Sequence, residues 1–215
     1  MNVLLDNLDL YASAFVGTVQ LFLVAAVGSI AGGLLLAAMR VSPVPVLRVF
    51  GAGYVNIVRN TPLTLVFFFF AFAYPRLEIA DLSFFARACL ALIVYTSAFV
   101  CEVVRSGVNT VPVGQAEASR ALGFTFGQTL GTIVLPQALR SVVPPLTSVE
   151  IALLKNTTIA AGFSVFQAGS IYQTLNERGY NTFIALLWVA VGFILLVAPL
   201  TILQRRLENR WSVAR

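Results

Sequence analysis

Gln115-Ala116-Glu117-Ala118-Ser119-Arg120-Ala121-Leu122-Gly123, followed by residues 124–132 and then by Ile133-Val134-Leu135-Pro136, separates long apolar runs on either side. The segment carries Gln115, Glu117, Ser119, Arg120 and Gln128, and ionisable groups of this kind are costly in hydrocarbon. It is therefore expected as a polar insert between membrane spans. Its local chemistry predicts a short helix over 112–123. Pro112 suits a first helical turn, Ala116, Ala118 and Ala121 are strong helix formers, and Gly123 can end the helix in the left-handed conformation. Small side chains at 116, 118, 119 and 121 leave the helix slim enough to enter a groove on another protein, and Glu117 and Arg120 share a face. A solvated loop helix is the plainer alternative, and the residue types leave open what the helix touches.

The chain around this insert is 59% hydrophobic and 11% charged, with a mean hydropathy of +0.89, far from the balance of a soluble domain. At roughly 20 residues per span plus loops, its 215 residues predict an all-α integral membrane protein with about five transmembrane helices. The predicted spans are 11–39, 62–74, 84–104, 137–155 and 182–203, forming one transmembrane domain over 1–215. A net charge of +5 does not point to nucleic acid, because the cations flank apolar runs and do not cluster with aromatics on a soluble face. The absence of histidine removes histidine metal sites and histidine general bases, and no metal site is predicted. Cys89 and Cys101 would lie about 18 Å apart along one helix, too far for a disulfide, and are expected in the core. Asp6 and Asp9, with no Lys or Arg before Arg40, are unlike the basic start of a secretory signal, so the first span is expected to be retained.

Along the chain, Gly28 and Gly32 have a spacing that lets two helices approach closely, read here as packing within the bundle. Residues 46–58 predict an amphipathic helix along the membrane surface, with Leu47, Phe50, Tyr54 and Ile57 near one face. Pro62 fits an early position of the second span, with Asn60 or Thr61 as its cap. Residues 74–83 read as a turn. In the third span, Glu102 and Arg105 are three apart and can pair, while Tyr95, Thr96 and Ser97 are candidates to line a polar pathway. Pro144 and Pro145 in the fourth span are expected to kink it. Counted from Arg140 along a continuous helix, Glu150 lies about 15 Å and Lys155 about 22 Å in. Glu150 is thus near the bilayer midplane and is a functional candidate, as a pathway or a pairing residue, whereas Lys155 could snorkel to the outer interface. Residues 163–175 predict a short interfacial or re-entrant helix, 176–180 a turn, and Arg205, Arg206, Arg210 and Arg215 a basic tail.

Five spans place the termini on opposite sides. With the tail in the cytoplasm, only Arg76, Arg87, Lys155 and Arg178 of the fourteen Lys and Arg fall outside, the split that the positive-inside rule favours. The polar insert is then cytoplasmic and the N-terminus external. The chain contains no Gly-x-x-x-x-Gly-Lys-Ser/Thr phosphate loop, so it does not itself bind ATP by that motif, and any energy it uses must come from a partner or an ion gradient.

Glu117-Ala118-Ser119, three residues, Gly123, nine residues, then Ile133-x-Leu135-Pro136 resembles the EAA signature of ABC importer permeases, with Ser119 in place of the usual second Ala. Arg59-Asn60-Thr61-Pro62-Leu63 is similar to the start of the second span in polar amino-acid permeases. The strings 40–44, 95–102, 105–111, 114–118 and Lys155-Asn156-Thr157-Thr158-Ile159-Ala160 resemble glutamate permeases of actinobacterial ABC importers. The resemblance implies a type I importer bundle whose cytoplasmic coupling helix docks on an ATP-hydrolysing subunit through Glu117, Ala118, Gly123 and Pro136; Ser119 keeps the side chain small and the docking compatible. It further implies a second permease subunit or a second copy, with a heterodimer favoured, an extracellular amino-acid-binding protein, and ATP with magnesium in the partner ATPase, with no cofactor in this chain. In amino-acid permeases a Lys-Asp-Thr-Ser type string lies near the translocation path, which brings in Lys155, Asn156 and Thr157 beside Thr96, Ser97 and Glu150. Asn156 stands where that string has an acid; an acidic substrate would be spared repulsion there and attracted by Lys155. The expected function is ATP-driven import of a polar amino acid, with glutamate favoured, by alternating access in the bacterial plasma membrane. An ion-coupled secondary transporter is the rival reading, and a membrane enzyme lacks a nucleophile and base.

Overall fold

A computed structural model describes residues 2–211, with side chains for 3–210, and every regular element among them is helical. Arg215 of the basic tail lies outside the described residues. A short α1 (Asn2–Leu5) precedes the long α2 (Leu8–Val41), which is followed by α3 (Pro45–Arg59). Next, α4 (Leu63–Phe68) continues as a π turn over Phe69–Ala73 and a 3-10 turn over Tyr74–Leu77. After α5 (Phe84–Val108) come α6 (Val113–Ala121), α7 (Phe126–Gln128) and a π turn over Thr129–Val134 that leads straight into α8 (Leu135–Asn156). A 3-10 segment Thr157–Phe163, a 3-10 turn Ala168–Ser170, α9 (Ile171–Glu177) and α10 (Thr182–Trp211) complete the chain.

Three helices, α2, α5 and most of α10, are long and apolar enough to cross a membrane, and five crossings result if each bent pair counts as one. The bent pairs are Pro45–Arg59 with Leu63–Leu77, at 104°, and Phe126–Phe163 with Ala168–Glu177, at 46°. α5 runs one turn beyond the expected 104, and α10 carries the last span on to Trp211. α8 passes through Pro144 and Pro145 as one element.

The core forms where α2 lies along α5. Gly28 meets Ile93, Gly32 meets the Ser97 side chain, and Gly33 meets Val100, so contacts climb in step along both helices and the two run in the same direction. The Gly28 to Gly32 spacing is therefore spent within the chain, as expected. α8 runs the opposite way, because Gly107 near the end of α5 meets Val142 near the start of α8 and the Thr110 hydroxyl donates to Ser141 Oγ at 2.9 Å. α10 starts beside the start of α2, where Tyr11 OH donates to Ala185 O at 3.2 Å. It then leaves α2 for α8, and Gln204 Nε2 donates to Ser148 Oγ at 2.8 Å. Only 11% of its apolar window is buried, so most of that window lies open at the surface of the bundle. Cys89 and Cys101 are both free and buried.

On α3, expected as an amphipathic helix along the membrane surface with Leu47, Phe50, Tyr54 and Ile57 near one face, Phe50 and Ile57 are 61% and 69% exposed. The protein-facing side is instead Gly51, Val55 and Val58, joined by Tyr54, whose hydroxyl donates to Val94 O at 2.8 Å. Lipid solvates bulky apolar side chains as well as a protein core does, so the slimmer face is the one that packs. The 163–175 region does tuck back into the bundle. Gln167, fully buried, donates from Nε2 to Thr158 O at 3.2 Å and accepts from Gly169 N at 2.6 Å, while Ala168 N donates to Thr18 Oγ1 of α2 at 2.9 Å.

Candidate functional site

The polar insert folds as a helical hairpin. α6 starts after Pro112 and ends in a left-handed Gly123 at φ +86°. There Phe124 N donates to Ser119 O at 3.1 Å and Gly123 N to Arg120 O at 2.9 Å, the paired bonds by which a helix C-terminus satisfies its last carbonyls. Two residues on, Thr125 caps the return helix through a reciprocal capping box with Gln128. The tip is thus closed on both sides by backbone hydrogen bonds. Its flanks are tied by Gln137 Nε2, which donates to Gln115 Oε1, and by a 2.8 Å hydrogen bond between the Ser119 and Thr129 hydroxyls.

Within this hairpin Glu117, Ala118, Arg120 and Pro136 are exposed, whereas Ser119 is buried. Ser119, expected on the docking surface, instead faces the return segment of its own hairpin, where its hydroxyl meets that of Thr129. Leu122 and Phe126, 79% and 69% exposed, stand at the tip beside Glu117, giving an apolar end with a charged flank. Ser119→Ala is expected to cost about 1 kcal/mol, read as faster amide hydrogen exchange over 119–129 with unchanged protection in α5.

The pathway candidates divide. Thr96 and Asn156 meet in a cavity of about 140 Å³ whose other walls are Tyr95, Phe99, Val149, Ala152 and Leu153. Ser97, next to Thr96, points the other way, donating to Val94 O at 3.0 Å and lying 3.2 Å from Tyr54 OH. Thr157 is fully buried and donates to Leu154 O of its own helix at 2.6 Å. Lys155 is exposed and lines a groove of about 520 Å³ between α8 and α10, with Phe193, Val197 and Arg205 among its walls. Both carboxylate oxygens of Glu150 are buried and have no hydrogen-bond partner among the described residues.

At the end of the bundle where the hairpin projects, Glu102 gathers three guanidinium groups. Arg40 of α2 binds Oε1, and Arg105 binds Oε2 at 3.0 Å. Arg59, the last residue of α3, lies 3.7 Å from Oε2. Only the Glu102 to Arg105 pair was legible from spacing. The signal for the others was their placement: Arg40, Arg59 and Arg105 each end a helical segment on the same predicted side, where cations also complement helix C-termini.

Residues 28–213 match the family described as binding-protein-dependent transport system inner membrane component. Among curated relatives, the glutamate transport system permease protein GluC of Corynebacterium glutamicum is 42% identical over 214 residues, covering 94% of each chain. The probable glutamine ABC transporter permease protein GlnM of Bacillus subtilis is 34% identical, covering 98% of this chain and 99% of its own. Among solved structures, one described as an amino acid ABC transporter with histidines superposes with a TM-score of 0.91 at 23% identity over 97% of both chains. An inward-facing MetNI methionine ABC transporter superposes at 0.76, with 22% identity, over 96% of this chain and 98% of its own.

Proposed function

We propose, from the premise that the chain belongs to the family of binding-protein-dependent transport system inner membrane components, that it is the permease subunit of an ATP-driven amino-acid importer and that its cargo is glutamate. It is a multi-pass component of the plasma membrane, and the hydrolysis of ATP belongs to a separate subunit. The observation that carries the reading is the hairpin at 113–134: a protruding end closed by the Gly123 turn and the Thr125 cap, with Glu117 and the Leu122 and Phe126 side chains directed away from the bundle. Such an end transmits force only if it is stiff and meets a partner.

In this reading the hairpin lies in the cytoplasm, the N-terminus outside, and Glu117, Ala118, Gly123 and Pro136 serve the contact with the ATPase. Ser119 serves it indirectly, by holding the hairpin shut. ATP binding closes the ATPase dimer, the hairpins follow, and the bundle, paired with a second and different permease subunit, exposes its inner site to each side in turn. Thr96 and Asn156 belong to that site. Glu150, whose carboxylate oxygens are buried without a hydrogen-bond partner among the described residues, and Lys155 at the α8–α10 groove serve in this reading as groups the substrate or the second permease subunit would meet. An extracellular binding protein delivers the amino acid. The cargo assignment follows the 42% identity to GluC; GlnM makes glutamine the competing cargo.

The test is ATP-dependent uptake of labelled glutamate in vesicles holding the whole complex, with glutamine and arginine as competitors. Glu117→Ala is expected to lower uptake about tenfold while the complex still assembles, the loss typical of removing a charged interface anchor. Undiminished uptake in that variant would refute the coupling role, and uptake without any ATPase would replace the proposal with an ion-coupled carrier.

A further inference from the structure

We infer that Arg59 is the residue that selects an acidic cargo, reaching past the edge of the Phe99 ring to the cargo carboxylate at the inner end of the Thr96–Asn156 cavity. The inference rests on the cargo reading above. Phe99 is shared by the two sites: its ring walls the cavity, and the Arg59 guanidinium carbon lies over that ring at 5.6 Å from its centroid, within cation–π range. A single side chain therefore borders both a cavity bearing neutral polar groups and a cation.

Arg59 is also the member of the arginine cluster held least closely by Glu102. Its 3.7 Å approach to Glu102 is beyond hydrogen-bonding distance, and its side chain is 44% exposed, against 38% for Arg105 and 16% for Arg40. If Arg59 leaves, Glu102 keeps Arg40 and Arg105, so the departure strands no buried charge. The cluster holds three guanidiniums for one carboxylate, and a planar guanidinium binds a second carboxylate through two parallel hydrogen bonds. Arg59 further lies at the 104° turn between α3 and the segment that begins at Leu63. The cavity adds the complementary condition, since Asn156 offers it an amide where an acid would repel an acidic cargo.

The experiment measures labelled glutamate retained by the purified assembly of both permeases and the ATPase, without binding protein, with glutamine as competitor. Arg59→Gln is expected to weaken glutamate about tenfold and glutamine by less than about twofold, the asymmetry of a site that has lost the partner of one substrate group. Arg59→Lys, which keeps the charge and loses the two-point bond, should recover part of the preference for glutamate, which a role for Arg59 in packing alone would not give. Equal loss of both ligands, or unchanged glutamate binding, overturns the inference. No retention of glutamate by the unmodified assembly, while vesicle uptake of glutamate proceeds, overturns it and leaves the proposed function standing. If ATP-driven glutamate uptake itself fails, the proposed function falls and the inference falls with it.

Discussion

Gly33→Leu is expected to prevent the bundle from assembling, seen as loss of the monodisperse species on size exclusion in detergent. A Cβ at this position would overlap the Val100 side chain and stand 3.0 Å from the Ser97 carbonyl oxygen. Val100 is fully buried, so it has no room to yield, and the carbonyl is part of the α5 backbone. Overpacking a well-filled core costs about 1–3 kcal/mol where side chains can adjust; here α2 and α5 must separate. Because that seam is the centre of the fold, separation exposes polar groups such as Ser29 and Ser97 that now lie buried. Gly53→Leu is the control: nothing lies within 4 Å of a Cβ there, and replacing a helical glycine relieves a cost of about 0.5–1 kcal/mol. A Gly33→Leu protein as stable as this control would show that the two helices are not in close contact.

The second large effect is expected for Glu102→Gln, with about 3 kcal/mol of stability lost and a matching fall in the detergent melting temperature. Glu102 and Arg40 are 20% and 16% exposed at the side chain, enough burial for the loss of the only carboxylate in the cluster to leave its cations opposed. Three helix ends, those of α2, α3 and α5, are joined by that one group. Arg40→Met combined with Glu102→Gln should recover part of the loss, since the more buried cation is then removed as well; a double-mutant cycle measures the coupling. Additive effects of the two changes would mean that the cluster does not hold the helix ends together.

Much of this protein was legible along the chain, and the reason is that lipid leaves few choices. Apolar runs long enough to span, broken by Pro, Gly and charge, had to become helices that satisfy their own backbone. The glycine at 123 and the Thr125 to Gln128 spacing set the hairpin by local bonds alone. Glu102 and Arg105, three apart, met as neighbours on one helix do. Family likeness carried the reading of the hairpin further than its residues could, and the match over residues 28–213 shows the family itself.

What lay beyond the sequence was every choice between two faces of a helix and every meeting of distant residues. Ser119 looks like a small docking residue until Thr129 is seen ten positions away, on the returning strand of the hairpin. Thr96 and Ser97 are adjacent, yet a helix turns neighbours about 100° apart, so one enters a cavity with Asn156 and the other meets Tyr54. On α3 the apolar stripe and the packed stripe differ, because lipid and protein compete equally for bulky side chains while only small ones permit close approach. The Arg40 to Glu102 contact joins residues 62 apart, and no periodicity within one helix encodes it. Hydrophobicity and local hydrogen bonding thus determined the elements, their number and the hairpin corner, since these depend on neighbours in the chain. The side each helix presents, and the cluster and cavity that follow from it, were decided only when the helices met.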